Sequence, residues 1–220
     1  MYVIYIYELH TCEGTWIYYM YVMCMSDCGL RQGAVYGLGV AAASGGTHFA
    51  PFVQQTAQVI LNCITHADAY EGMNGAASDN AVSALGKLCD VHCERFPSAQ
   101  QLIETQWLPR LPLTSDEEES VTVTNHLCAM IENPQRSSLV LGTNFEQLGR
   151  VLNVLMTVIT SDRSEGLWNK KLKVRIQQLL RAIKAGVPPQ AFQNGVNQLP
   201  REFPTNVLFI HTCMICIPHV

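Results

Sequence analysis

Charged side chains are scarce in this sequence, since Asp, Glu, Lys and Arg make up only 15% of its 220 residues. Lys and Arg together number 14 against 18 Asp and Glu, which gives a formal net charge of -4. A chain without a basic excess has no general attraction for nucleic acid or for an anionic membrane surface. We therefore expect neither nucleic acid nor membrane among its partners.

Long uninterrupted apolar runs are missing as well. A span across a bilayer takes roughly 20 consecutive apolar residues, and Glu8, His10 and Glu13 interrupt the first apolar stretch. Residues 1–28 contain no Lys or Arg and therefore no basic region of a signal peptide. The segment 201–220 is largely apolar but shows no helical stripe. We interpret 1–28 and 201–220 as atypical extensions outside the fold.

Signatures of catalysis are also missing, including the Gly-x-Ser-x-Gly elbow and the phosphate loop. The stretch 37–42 has the letters of a dinucleotide-binding glycine motif, but no strand pattern precedes it. His211, Cys213, Cys216 and His219 have the atoms for a zinc site without the paired spacing that makes such a site convincing. We expect no enzyme activity, no cofactor and no metal, and we interpret the nine cysteines as reduced thiols.

The sequence does contain an internal repeat. Ala34-Val35 is followed by one variable residue, one small residue and Leu38-Gly39, and the same pattern returns 47 residues later from Ala81-Val82 to Leu85-Gly86. Leu88-Cys89 returns as Leu127-Cys128 after 39 residues. Periods of roughly 40 to 47 residues are typical of HEAT and armadillo repeats, in which two or three helices form one unit.

Apolar residues at helical spacing predict the helices of these units. The predicted helices run over about 30–44, 48–65, 78–92, 99–108, 115–132, 144–160, 167–186 and 190–199. Gly37 and Gly39 lie inside the first helix, where each glycine costs about 1 kcal/mol relative to alanine. We infer that the close approach of a neighbouring helix compensates for this cost. The fold class is all-α, a HEAT-repeat α-solenoid of about four helix pairs over residues 29–200.

Two charged clusters are candidate protein-binding surfaces. Asp116, Glu117 and Glu119 lie at the start of the fifth predicted helix, where Ser115 and Glu118 have the spacing of a capping box. An acidic cluster of this kind would contact a basic peptide. Lys170, Lys171 and Lys173 lie on a helix without acidic residues and would contact an acidic partner or phosphate. Helix capping and a solvated basic face are the alternative explanations of the two clusters.

Four segments in register resemble the C-terminal HEAT repeats of importin-beta superfamily receptors, of the importin beta-three or importin-five type. The matching stretches are Leu30–Val40, Asp79–Lys87, Trp107–Leu113 with Asp116 and Glu118, and Leu127–Glu132 with Leu141-Gly142. The resemblance covers about residues 29–200. It implies a nuclear transport function in the cytoplasm, the nucleus and the nuclear pore.

The resemblance also implies partners. Such receptors bind protein cargo that carries a nuclear localisation signal, and they release it when the GTPase Ran binds in its GTP form. Ran and nucleoporins would act through the full-length receptor, because its main Ran-binding surface lies in N-terminal repeats outside the matched region. The alternative is a generic HEAT-repeat scaffold for protein–protein interaction without transport activity.

Overall fold

The structure is a computed structural model that describes residues 27–161 and 170–200, and all regular structure within these ranges is helical. The predicted extensions 1–28 and 201–220 therefore lie outside the described residues, apart from Asp27 and Cys28. The same holds for the terminal His and Cys cluster. In chain order the helices are α1 (Cys28–Ser44), α2 (Gly46–Phe49), α3 (Val53–Thr65), α4 (Asn74–His92), α5 (Ala99–Leu102), α6 (Glu117–Glu132), α7 (Ser137–Leu141), α8 (Leu148–Thr160), α9 (Lys170–Gly186) and α10 (Pro189–Asn197).

The chain divides into two compact units. The first unit takes the described residues up to Ala99 together with Leu113–Glu119. The second takes Gln100–Pro112 and the described residues from Ser120 onward. None of the helices in 27–161 and 170–200 is both long and apolar enough to cross a membrane.

In the first unit, α1 and α3 both pack against α4. The closest approach occurs at Gly39, where an added Cβ would meet the Cα and Cβ of Ala84 at 3.1 Å. A contact of 3.1 Å is tighter than most real Cβ contacts, so the glycine at this position permits the close approach that we predicted for α1. Leu38 and Leu85 are buried in this seam, whereas Leu30, near the start of α1, is 46% exposed.

In the second unit, α8 packs against α9 and α10. The buried side of α9 consists of Leu172, Ile176, Leu179, Leu180 and Ile183, as its helical spacing predicts. Arg175 of α9 donates to Glu132 at 2.7 Å and to the Oδ1 atom of Asn125 at 2.9 Å, so α9 is also joined to α6. These contacts of α9 lie within the second unit.

Several helix limits differ from the predicted ones. The first helix begins two residues earlier, because Asp27 accepts a hydrogen bond from the Leu30 amide at 2.9 Å and caps it. The helix that we predicted from Ser78 begins at Asn74. Ser78 does not cap this helix, since its hydroxyl donates to the Ala69 carbonyl. The short helix α7 falls where we expected a loop.

The segment after Ala99 is the most irregular of the predicted helices. Regular α-helix ends at Leu102, a π-helical turn follows over Ile103–Trp107, and a 3-10 turn covers Leu108–Arg110. Pro109 has no amide hydrogen to continue an α-helix, which explains the change of winding at this point. Ile103, Trp107 and Leu108 are nevertheless fully buried, so the segment still supplies core residues.

Candidate binding surfaces

The first candidate surface is the acidic start of α6. The helix begins at Glu117, and Asp116 caps it by accepting a hydrogen bond from the Glu119 amide at 3.0 Å. The predicted capping box from Ser115 to Glu118 is therefore wrong by one residue. The second oxygen of Asp116 accepts from Asn80 at 3.0 Å, so this carboxylate also ties α6 to α4.

Glu119 is turned inward. Its side chain accepts a hydrogen bond from the Ser83 hydroxyl and lies 3.4 Å from the Lys87 ammonium. Only 8% of Glu119 is exposed, whereas Glu117 is exposed. Of the three acidic residues that we predicted to contact a basic peptide, Glu117 is thus the one that faces solvent. Asp116 and Glu119 are engaged within the first unit.

Asp79 explains how the segment before α6 is held. One oxygen of this buried carboxylate accepts the amide hydrogens of Ser115 at 2.6 Å and of Asp116 at 2.9 Å. Burial raises the pKa of Asp79, and the hydrogen bonds from the Asp116 and Ser115 amides act in the opposite direction. The Asp79 carboxylate is therefore bonded to backbone amides, and these bonds position Asp116 for its capping role.

We expect Glu119→Gln to destabilise the protein more than Glu117→Gln does. The first change removes a charge that is bonded to Ser83 and Lys87 and should cost about 1–3 kcal/mol. The second affects an exposed side chain and should stay within about 0.5 kcal/mol. Urea denaturation followed by far-UV circular dichroism measures both. Equal denaturation midpoints would contradict an internal role for Glu119.

The second candidate surface is the basic start of α9. Lys170 and Lys171 are exposed and Lys173 is half-buried. These residues belong to the second unit, whereas Asp116, Glu117 and Glu119 belong to the first. The three lysines remain candidates for contact with an acidic partner.

A third surface was not predicted from the sequence. It is a groove in the first unit with a volume of about 420 Å³, formed by α1, α3, α4 and the loop between α3 and α4. Its polar lining includes Arg31 of α1, the amides of Gln55, Gln58 and Asn62 on α3, and Asn74 of α4. Arg31 donates to the Oδ1 atom of Asn74. We call this surface the amide groove.

Cys63 also lines the amide groove. Burial raises the pKa of its thiol, while the charge of Arg31 and a hydrogen bond with Ser78 act in the opposite direction. A thiol with a raised pKa is a weak nucleophile at neutral pH. Cys63 is therefore a thiol in the lining of the groove, and its raised pKa does not indicate covalent catalysis.

One sequence signal for the groove was present and overlooked. Gln55, Gln58 and Asn62 recur at i, i+3 and i+7, so they form a polar stripe beside the apolar stripe of α3. Arg31 and Asn74 lie far away in the chain, and only the packing of α1 and α3 on α4 brings them to this stripe. Cys89, His92 and Trp107 are buried in the core.

Metal binding finds no support among the described residues, where no group of three or more His, Cys, Asp and Glu side chains lies close enough to hold an ion. His92 is bonded instead to the Ala42 carbonyl at 3.0 Å. Burial raises the pKa of the Cys89 thiol to about 12. Both side chains are thus part of the core of the first unit.

Comparison with known proteins shows that part of the chain is similar to an importin-type protein. Over 110 residues the chain is 31% identical to a protein of Dictyostelium discoideum that is named a probable importin-5 homolog. The alignment covers 49% of this chain and 10% of that relative, so it spans about a tenth of the relative's length. No protein-family model matches the chain. The chain is therefore similar to a part of an importin-type protein.

Proposed function

We propose that the chain is a protein-binding segment of an importin-beta-type nuclear import receptor, built as a HEAT-repeat α-solenoid. The identity to the importin-5 homolog carries this proposal. The helical packing supports it, because α1 and α4, which contain the two copies of the sequence repeat, lie side by side with Gly39 against Ala84. Neighbouring repeats of a solenoid contact each other in this way.

The proposed ligand is protein cargo that carries a nuclear localisation signal, bound as the receptor moves between cytoplasm and nucleus through the nuclear pore. Ran and nucleoporins would act through the full-length receptor. Cofactors, metals and catalysis have no part in this proposal, because transport depends on binding alone. Glu117 is the acidic side chain of the α6 cluster that we expect to meet a basic cargo segment.

A generic HEAT-repeat scaffold remains the second candidate function. One observation favours it, since Asp116 and Glu119 make internal contacts and leave less acidic surface for a basic signal than the sequence predicted. In this case the units would hold other proteins together without transport. The two candidates differ in what the chain binds.

We expect the full chain to bind a fluorescent lysine-rich localisation peptide about tenfold more tightly than a matched peptide with glutamine in place of lysine, a difference of about 1.4 kcal/mol. The preference should shrink as salt screens the charges. Glu117→Gln should weaken binding by up to about fivefold, the range of one exposed ion pair.

Fluorescence anisotropy at low and high salt measures these affinities, with Gln54→Ala on the exposed face of α3 as the control variant. Equal affinities for the lysine and glutamine peptides would overturn the receptor proposal for this chain and favour the scaffold. Glu119 is left unchanged, because its loss would confuse affinity with folding.

A further inference from the structure

We propose that the amide groove binds an extended peptide segment through a carboxylate side chain. The groove's volume of about 420 Å³ lies in the usual range of ligand sites, roughly 300–1,000 Å³. This ligand is of opposite charge to a nuclear localisation signal. The inference therefore goes beyond the proposed function and does not depend on transport.

The charge of the groove selects the ligand. Arg31 is the one permanently charged side chain among the residues that line it. Its guanidinium is only partly used, because one terminal nitrogen donates to Asn74 while the buried Nε finds no acceptor within the described part of the chain. A guanidinium group presents its donors in a planar fork that matches a carboxylate. An aspartate or glutamate side chain in the groove would pair with this guanidinium group.

The row of amides favours a peptide over a small anion. Gln55, Gln58 and Asn62 follow one another along the same side of α3, and each carries both a donor and an acceptor. A peptide group presents the same pair, one N–H and one C=O. The side chains of Gln58 and Asn62 are bonded to each other at 2.9 Å, while the side chain of Gln55 makes no hydrogen bond within the described residues. A free anion would use Arg31 and leave most of this row unused.

The wall of the groove limits the size of the bound side chains. Val59, Ala69 and Ala77 line it beside the polar groups. Small apolar surfaces of this kind suit a peptide whose side chains beside the carboxylate are also small, such as serine or threonine. We therefore choose the end-capped, fluorescently labelled peptide Ser-Thr-Glu-Thr-Ser as the probe and Ser-Thr-Gln-Thr-Ser as its matched neutral control.

Anisotropy titration of the full chain should show about tenfold tighter binding of the glutamate peptide than of the glutamine peptide. Arg31→Gln should abolish this preference, and Gln55→Ala should weaken both peptides alike. Gln54→Ala, one residue away on α3 and not part of the groove lining, should leave both unchanged. Equal binding of the two peptides by the unmodified chain would overturn the proposal, and so would a preference that survives in a folded Arg31→Gln variant.

A second measurement locates the ligand without any substitution. Saturating glutamate peptide should slow iodoacetamide alkylation of Cys63 at least about threefold by mass spectrometry, while Cys93, which does not line the groove, should react at an unchanged rate. This readout stands even if Arg31→Gln does not fold. Unchanged alkylation of Cys63, or equal protection by inorganic phosphate at the same concentration, would show that the groove is not a peptide site.

Discussion

Leu85→Asp is expected to unfold the first unit, with a loss of several kcal/mol in the free energy of unfolding. Leu85 is fully buried on α4, in the helix that both α1 and α3 contact. A carboxylate at this position would lose its hydration and find no buried cation in exchange, which is among the most costly single changes in a folded core. Since natural domains are stable by only about 5–15 kcal/mol, the loss is large enough to populate the unfolded state.

Two control variants separate the effect of a buried charge from the effects of a charge on α4 and of any substitution at position 85. Val91→Asp introduces the same charge on the same helix at a position that is 41% exposed, and we expect a near-native melting curve. Leu85→Met keeps the volume without the charge and should cost less than about 1.5 kcal/mol. Thermal unfolding followed by circular dichroism compares the three. A near-native melting curve for Leu85→Asp would mean that this seam is not the core of the first unit.

The helical class of this fold follows from the sequence because apolar spacing repeats over many turns. Leu172, Ile176 and Leu179 keep the period of 3.6 residues and are all buried, so the packing of α9 could be predicted. Gly39 is a second case, since a glycine inside a helix carries a cost that only close packing explains. Signals of this kind are local and therefore visible in one sequence.

Helix limits were less predictable, because capping depends on which neighbour a polar side chain finds. Ser115 has the right type and spacing for a cap, yet the contact of its amide with Asp79 places it before the helix. Asp116 takes the cap instead. The competing partner lies 36 residues away in the sequence, and no local pattern contains it.

The candidate surfaces depend even more on contacts between residues that lie far apart in the sequence. The sequence placed Asp116, Glu117 and Glu119 in one acidic cluster, but it did not contain the information that Ser83 and Lys87 would take up Glu119. The amide groove requires Arg31, the stripe on α3 and Asn74 to meet. A charge cluster can thus be found from the sequence, whereas the side of it that faces solvent is decided by tertiary packing.

Trp107→Ala is expected to destabilise the second unit by about 3–5 kcal/mol, the range for removing a large buried aromatic side chain. Trp107 is fully buried at the end of the π-helical turn, and its ring meets His126 nearly edge-on at a centroid distance of 5.9 Å. Edge-to-face pairs of this kind add to the effect of burial alone. The alanine variant loses both contributions and leaves a cavity.

Trp107→Phe provides the matched control for this last prediction. The indole N–H of Trp107 is buried without an acceptor in the described part of the chain, so replacing it with phenylalanine breaks no hydrogen bond there. Phenylalanine keeps an aromatic ring at the position and should cost less than half as much as alanine. Urea denaturation of the two variants and the unmodified chain gives the comparison. Equal losses for alanine and phenylalanine would assign the stabilising effect of Trp107 to the indole nitrogen. A loss below about 1 kcal/mol for alanine would show that the irregular segment 103–110 is not part of the core.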